Sequence, residues 1–450
     1  MKKSRRNFIK KSALSALGFS SFGSVNSFSA KSYRKILGSN ERISIAFQGL
    51  GRRIPGLLNA CIKRKNVEIL YFCDVMDKQV QKTQKSFFNS TGKEAKVEKD
   101  IHKIFEDKEV DAIIMATPDH WHAYGACKAM EHDKHVYLEK PCSHNMYENE
   151  ILVDYQKYFN KKIQMGNQQR SSPHTIDLVN KIKDGLIGQS YMAVAYYHNN
   201  RPRVPNQKKY SIPKGLDWNL FQGPAKRREY TFDTWDYNWR WYGWLYGTGE
   251  AGNNATHELD VARWVLDVKY PSKVDVYAGK YHYIDDGWTM YDTMEAKFKF
   301  PENKVITWDG QSRNAFKKDI EGGRGTKIFG SKGTVLVDRN GYKVFDLSNR
   351  LIYNSREDQK FIKIERSMTH LHFDNFFNSI SHGEKLNSPI EDAAISQSMV
   401  HYANISYRIN KDFKINPKNG RINDRKAKKM WSREYEKGWS IIISARAKCI

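Results

Sequence analysis

Ile43-Ser44-Ile45-Ala46-Phe47-Gln48-Gly49-Leu50-Gly51-Arg52-Arg53-Ile54-Pro55-Gly56 is an apolar run that breaks into glycines and then into a stretch able to form a helix. Its first six residues have the length and near-continuous apolar character of a strand covered on both faces, as a parallel sheet requires. Three further runs share that texture: Val67–Cys73 (VEILYFC), Val110–Thr117 (VDAIIMAT) and His135–Lys140 (HVYLEK). Helical stretches over Asp77–Phe88 and His120–His132 separate them, and a helix over Met146–Phe159 with a strand over Ile163–Gly166 completes the unit. Strands alternating with helices predict an α/β fold of the doubly wound, Rossmann type, with domain bounds at 42–168.

Chemistry-bearing residues fall where such a sheet binds ligands, at the carboxyl ends of its strands. Gly49 permits a tight turn, and Gly51 lets backbone approach a pyrophosphate at a helix N-terminus, with Arg52 beside it. The third glycine of G-x-G-x-x-G is Ile54 here, so the turn alone is a weak signal. Asp74 strengthens it, because it ends the second strand 23 residues past Gly51. An acid there accepts hydrogen bonds from ribose hydroxyls and repels a 2′-phosphate, which favours NAD over NADP. Capping the helix near Asp77 is its alternative role. Thr117-Pro118-Asp119-His120-Trp121-His122 follows the VDAIIMAT strand, and its two histidines have no Cys or acidic partner at ligand spacing, so no metal is expected. Glu139-Lys140-Pro141 ends the HVYLEK strand, where the Lys140 charge would point at cofactor and substrate.

After about Pro173 the texture changes. Trp and Tyr become dense, and alternating strands are expected at Tyr191–His198, Lys273–Tyr283, Met290–Phe300, Lys304–Gln311 and Thr334–Asp338. Helices over His370–His382 and Ile390–Asn410 follow. This predicts a C-terminal α+β domain over 169–440 with a large, mostly antiparallel open sheet. Within it, Gly252-Asn253-Asn254-Ala255-Thr256-His257-Glu258-Leu259-Asp260 opens a helix for which Asn253 is a plausible N-cap. Asn253, His257 and Asp260 then share one face, and a His among polar groups suits proton transfer.

The chain is 450 residues long, 40% hydrophobic and 13% aromatic, which is a globular composition. Its net charge is +25; residues 1–31 hold seven of the 75 basic residues and none of the 50 acidic ones, which leaves +18 without them. No nucleic-acid motif accompanies that charge, and no apolar run is long enough for a membrane span. Ser4-Arg5-Arg6-Asn7-Phe8-Ile9-Lys10 followed by an uncharged Ser/Ala-rich run matches a twin-arginine signal over 1–30, so export in folded form to the periplasm or beyond is expected, with no stable membrane anchor. Five cysteines without a C-x-x-C make no disulfide framework, and Cys61, Cys73 and Cys127 read as buried thiols. The Ile-rich tail around Ile441–Ile443 has no legible role.

Taken together, these pieces resemble the Gfo/Idh/MocA family of oxidoreductases, and most of all its exported, twin-arginine subgroup. The resemblance runs from about Arg42 to Trp439. Beyond the glycine turn and Glu139-Lys140-Pro141, it rests on Gly166-Asn167-Gln168-Gln169-Arg170, Asp217-Trp218-Asn219-Leu220-Phe221-Gln222-Gly223-Pro224, the His257 helix and Arg433-Glu434-Tyr435. It implies that Lys140 and His257 are catalytic, with Asn253 beside them. It also implies that Gly49, Gly51, Arg52, Asp74, Thr117, Pro118, His120, Glu139, Lys140 and Gln168 meet the cofactor, and that Trp218, Arg240 and Asp260 meet substrate. The family's acid four residues before the histidine is Asn253 here; the lost charge should lower the His257 pKa, and an amide cannot relay a proton. The resemblance further implies a homo-oligomer joined through the C-terminal sheet.

Three readings follow. The first is an NAD-dependent oxidoreductase with tightly held cofactor, acting on a secondary alcohol of a sugar, cyclitol or glycoside. The second is an NAD-dependent glycosidase that oxidises its substrate transiently. The third is a non-catalytic sugar- or nucleotide-binding protein.

Overall fold

The computed structural model describes residues 42–316, 322–364 and 366–441. The expected signal segment and most of the Ile-rich tail lie outside the described residues. Six strands build the first sheet: β1 (Ile43–Gln48), β2 (Val67–Cys73), β3 (Lys96–Glu98), β4 (Ala112–Met115), β5 (His135–Leu138) and β6 (Ile163–Met165). All pairs are parallel, in the order β3-β2-β1-β4-β5-β6. The order reverses between β1 and β4, and the crevice beyond the carboxyl ends of the strands opens there. Every residue of β1 and β4 is buried, as their unbroken apolar runs require. The reading missed β3 and the helix Ile101–Glu106, both too short to show a period.

The second sheet has ten strands: β7 (Ser190–Asn200), β8 (Lys273–Gly279), β9 (Thr293–Lys299), β10 (Val305–Gln311), β11 (Arg313–Asn314), β12 (Arg324–Gly330), β13 (Gly333–Val337), β14 (Tyr342–Phe345), β15 (Leu351–Asn354) and β16 (Phe413–Lys414). Its main path runs β15-β14-β13-β12-β7-β10-β9-β8-β16, antiparallel except where β10 lies parallel to β7. Alternation marks it clearly: Met294, Ala296 and Phe298 of β9 are buried while Glu295, Lys297 and Lys299 are exposed. The buried face packs against the helices Thr256–Leu266 and Ile390–Ile409 in one apolar cluster.

The expected boundary at 168 falls between the last strand of the first sheet and the first strand of the second. From Ile43 onward the chain is one compact unit, and the helix Met368–His382 returns to cover the first sheet. Phe373, Phe376 and Phe377 join Phe47, Ile114 and Tyr137 in a single cluster, with the Phe373 ring stacked on Tyr137 at 4.2 Å. Cys61, Cys73, Cys127 and Cys142 are buried free thiols. No helix among the described residues is long and apolar enough to cross a membrane.

Candidate functional site

The first cleft forms where β1 runs into the glycine turn. Gly49 has φ +82°, and a Cβ there would sit 2.7 Å from the Thr117 nitrogen, so any side chain would push the turn off β4. A Cβ on Gly51 would meet nothing within 4 Å, which leaves bare backbone facing the cleft. The helix Ile54–Ile62 begins with no side-chain cap and no acid in its first turn. Its N–H groups and dipole are therefore available to an anion. Asp74 accepts the Leu50 N–H at 2.6 Å and the Met76 N–H at 2.8 Å, so it pins the turn and starts the next helix while still lining the cleft. Burial pushes its carboxyl up to about 6. Gly49, Gly51, Arg52, Asp74, Thr117 and Pro118 all face this cleft. Gln48 Oε1 and Thr117 Oγ1, also on lining residues, are buried without a hydrogen-bond partner. Bare backbone, free helix N–H groups and orphaned polar atoms fit an elongated dinucleotide whose phosphates lie at the turn.

A second cleft, of about 710 Å³, adjoins the first, and Arg53 and Tyr237 line both. Lys140, Asn253 and His257 meet in it. The Lys140 ammonium donates to the Asn253 backbone oxygen at 2.5 Å and reaches its Oδ1 at 3.3 Å. Burial, and after it the neighbouring Arg240 guanidinium, pushes Lys140 down to about 7. His257 is held well below the usual imidazole value by burial and by Arg339, Lys140 and Arg324, so it is neutral near pH 7.

Backbone geometry delivers these groups. Ala251–Ala255 forms a π-helical turn ahead of the α-helix Thr256–Leu266, the kind of bulge that concentrates at functional sites. This corrects the reading of Asn253 as an N-cap: the chain is already helical there, and the amide turns elsewhere. Asn253 Nδ2 donates to Glu250 at 2.8 Å, which aims its oxygen at Lys140. Glu250 also accepts from Asn254, Trp241, Ser312 and Arg201. Burial alone would raise its carboxyl; Arg201 and these donors outweigh that and hold it below the usual range.

Other expected residues stand elsewhere. Glu139 and Gln168 line the second cleft, not the first: Gln168 Nε2 donates to Glu139 at 3.0 Å, and Arg53 Nε does so at 2.8 Å. Arg240 lines the first cleft, its guanidinium 4.2 Å above the Trp239 ring. His120 faces neither cleft; it is buried with Nε2 2.9 Å from the Phe221 carbonyl, and burial drives it down to about 3. Trp218 is also away from both, stacked on Phe221 and donating to the Arg228 carbonyl at 2.9 Å. Asp260 is buried in a two-pronged pair with Arg170, both contacts 2.7 Å, and accepts from Ser396 at 2.6 Å. It anchors the His257 helix and does not reach the cleft. The described residues contain no group of three or more side chains able to hold a metal. Sequence reasoning missed Arg53, Tyr197, Arg201, Glu250, Arg324 and Arg339. Only Arg53 and Glu250 stood beside a motif, in G-L-G-R-R and G-E-A-G-N-N; the others lie in or just beyond β7, β12 and β13, with no motif around them.

Comparisons with known proteins agree with this geometry. Residues 43–167 match the family described as "Oxidoreductase family, NAD-binding Rossmann fold", and residues 196–349 match its "C-terminal alpha/beta domain". The chain is 26% identical over 216 residues to a "Glycosyl hydrolase family 109 protein" of Shewanella pealeana, covering 45% of this chain and 47% of that protein. It is 29% identical over 212 residues to "Inositol 2-dehydrogenase" of Salmonella typhimurium, covering 47% of this chain and 50% of that one. The chain thus spans half or less of these curated relatives' length. Its fold is similar to that of aldose-aldose oxidoreductase from Caulobacter crescentus (TM-score 0.62, 15% identity, 83% of this chain and 100% of that). It is likewise similar to the WlbA dehydrogenase from Bordetella pertussis, solved with NADH and UDP-GlcNAcA (TM-score 0.63, 18% identity, 84% and 98%). With both domains matched and both clefts in place, the chain belongs to the Gfo/Idh/MocA oxidoreductase family.

Proposed function

We propose that the protein is an NAD-dependent oxidoreductase acting on a secondary alcohol of a sugar, cyclitol or glycoside. The observation that carries this reading is the junction of the two clefts: Lys140 and His257 stand in a cavity that shares walls with the glycine-turn crevice. Bound there, a nicotinamide supplies hydride exchange with the substrate carbon. The chain handles the proton. Lys140, near 7, is neutral in a large fraction of molecules at neutral pH and takes the hydroxyl proton as the carbon is oxidised. Its orientation comes from the Asn253 oxygens, and theirs from Glu250. Neutral His257 is a second acceptor on the same cleft, whereas the Asn253 amide cannot carry a proton. The Asp74 carboxylate at the ribose end favours NAD over NADP.

Mass spectrometry of the native protein for a co-purifying dinucleotide, followed by a sugar panel read through NADH absorbance, tests the proposal. Loss of turnover in Lys140→Ala and His257→Ala is expected; unchanged turnover in both would favour a binding protein. The match to glycosyl hydrolase family 109 supports a second reading, hydrolysis through transient oxidation, with the same two proton-handling groups. Aryl glycosides offered without added NAD separate the two, since only the hydrolase releases aglycone. The twin-arginine pattern supports export, a setting without a free NAD pool, so retained cofactor is part of the proposal.

A further inference from the structure

The second cleft is unusually cationic for a cavity that would take a neutral sugar. Arg53, Lys140, Arg201, Arg324, Arg339 and Arg366 all line it. Most of that charge is already matched. Arg53 pairs with Glu139 at 2.8 Å, Arg201 with Glu250 at 3.1 Å, Arg324 with Glu258 at 2.7 Å, and Arg366 Nη2 reaches Asp374 at 2.9 Å. Lys140 is held by the Asn253 oxygens. Arg339 is the exception: none of the described hydrogen bonds or ion pairs involves it, and its Nε is buried without a partner. Arg324 is half matched, because its Nε is spent on Glu258 while its Nη2 is buried without a partner.

The fold brings these two arginines together. They flank the last rung of the β12–β13 hairpin, Thr326–Val337, by two residues on each strand, which puts both at the open end of the hairpin. Two guanidiniums at that spacing repel one another and carry planar donors suited to two-pronged binding of an oxyanion. The same pair lines the cleft with His257, and their charges add to the burial that lowers its pKa.

Building on the proposed function, we propose that the substrate is an acidic sugar whose carboxylate or sulfate ester is bound between Arg339 and Arg324. The surplus is one unmatched guanidinium, which suits a single negative charge better than a phosphate monoester. An anion placed there also offsets the part of the repulsion on His257 that comes from Arg339 and Arg324, while burial continues to disfavour its charged form.

The test is isothermal titration calorimetry on the full protein with saturating NAD⁺ at pH 7. The ligands are glucuronate, galacturonate, mannuronate, glucose 6-sulfate, galactose 6-sulfate and glucose 6-phosphate, each with its neutral parent sugar. At least one carboxylate or sulfate is expected to bind about ten- to a hundredfold tighter than its parent, the range of a charged hydrogen-bonded contact. Arg339→Met should abolish that preference, bringing the acid and its neutral parent to equal affinity. Should that variant not fold, Arg339→Lys and Arg324→Lys, which keep the charge and lose the planar fork, should reduce the preference several-fold. Equal affinity for acid and parent across the set overturns the proposal, as does a preference that survives these substitutions, or tightest binding to glucose 6-phosphate. Acid-selective binding without any hydride transfer would end the oxidoreductase reading and leave this one standing. Turnover of neutral sugars alone would do the reverse.

Discussion

Replacing Lys140 by Met should stabilise the protein while ending its activity, and the gain should depend on pH in a calculable way. Folding lowers the Lys140 pKa from 10.5 to about 7. Because the folded value is the lower one, the unfolded chain binds the extra proton between those limits, and wild-type stability rises with pH across that window. A shift of that size is worth up to about 5 kcal/mol at and below pH 7. Between pH 7 and pH 9 about 2 kcal/mol of it is recovered, as the ammonium is lost from the folded state but retained in the unfolded chain. Met fills a similar volume without a charge. It leaves the Asn253 oxygens without their ammonium donor, a cost of about 1–3 kcal/mol that does not vary with pH. The mutant should therefore melt above wild type at pH 7, and its advantage should shrink by about 2 kcal/mol at pH 9. For a chain of this length that is roughly 2 °C in Tm. Differential scanning calorimetry of both proteins at the two pH values provides the check. A melting difference that stays constant between pH 7 and 9 would show that Lys140 is not desolvated in the folded state.

Other outcomes follow from the same geometry. In wild type, kcat/KM for alcohol oxidation should rise through an apparent pKa near 7, and Lys140→Ala should remove that rise along with about 10²–10⁴ of the rate; a flat profile in wild type contradicts Lys140 as the base. Gly49→Ala faces both φ +82° and a 2.7 Å clash with Thr117, so it should cost about 2–3 kcal/mol and weaken dinucleotide binding, measured by melting and by NADH fluorescence. Asp260→Ala strips a buried carboxylate from Arg170 and should cost about 3–5 kcal/mol in urea unfolding, with KM of the folded fraction unchanged; a raised KM would return Asp260 to the substrate site.

The parallel sheet was legible because its strands carry near-continuous apolar runs: ISIAFQ is buried throughout, and VEILYFC, though partly open, is apolar at every position but Glu68. The antiparallel sheet was legible only where alternation is strong, as in β9; β12, with Gly325 and Gly330 in seven residues, carries no such signature. For the site, Lys140 and His257 could be named because each sits in a local motif. Arg324 and Arg339 could not, since their proximity comes from strand pairing and nothing in the adjacent residues encodes it. Trp218, His120 and Asp260 misled for the opposite reason. Each lies in a motif close to the site, but the side chain points inward, where a ring, an imidazole or a carboxylate serves to lock one segment onto another.

The helix Met368–His382, which seals the first sheet with Phe373, Phe376 and Phe377, has a consequence for how the molecule is made. The nucleotide crevice belongs to strands near the start of the chain, but the face that the helices Ile54–Ile62 and Asp77–Thr91 cover in part is completed only once residues more than two hundred positions later have emerged from the ribosome. Synthesis therefore cannot leave behind a finished cofactor-binding half awaiting its partner. The finishing of the crevice is tied to a segment far downstream of the strands that form it.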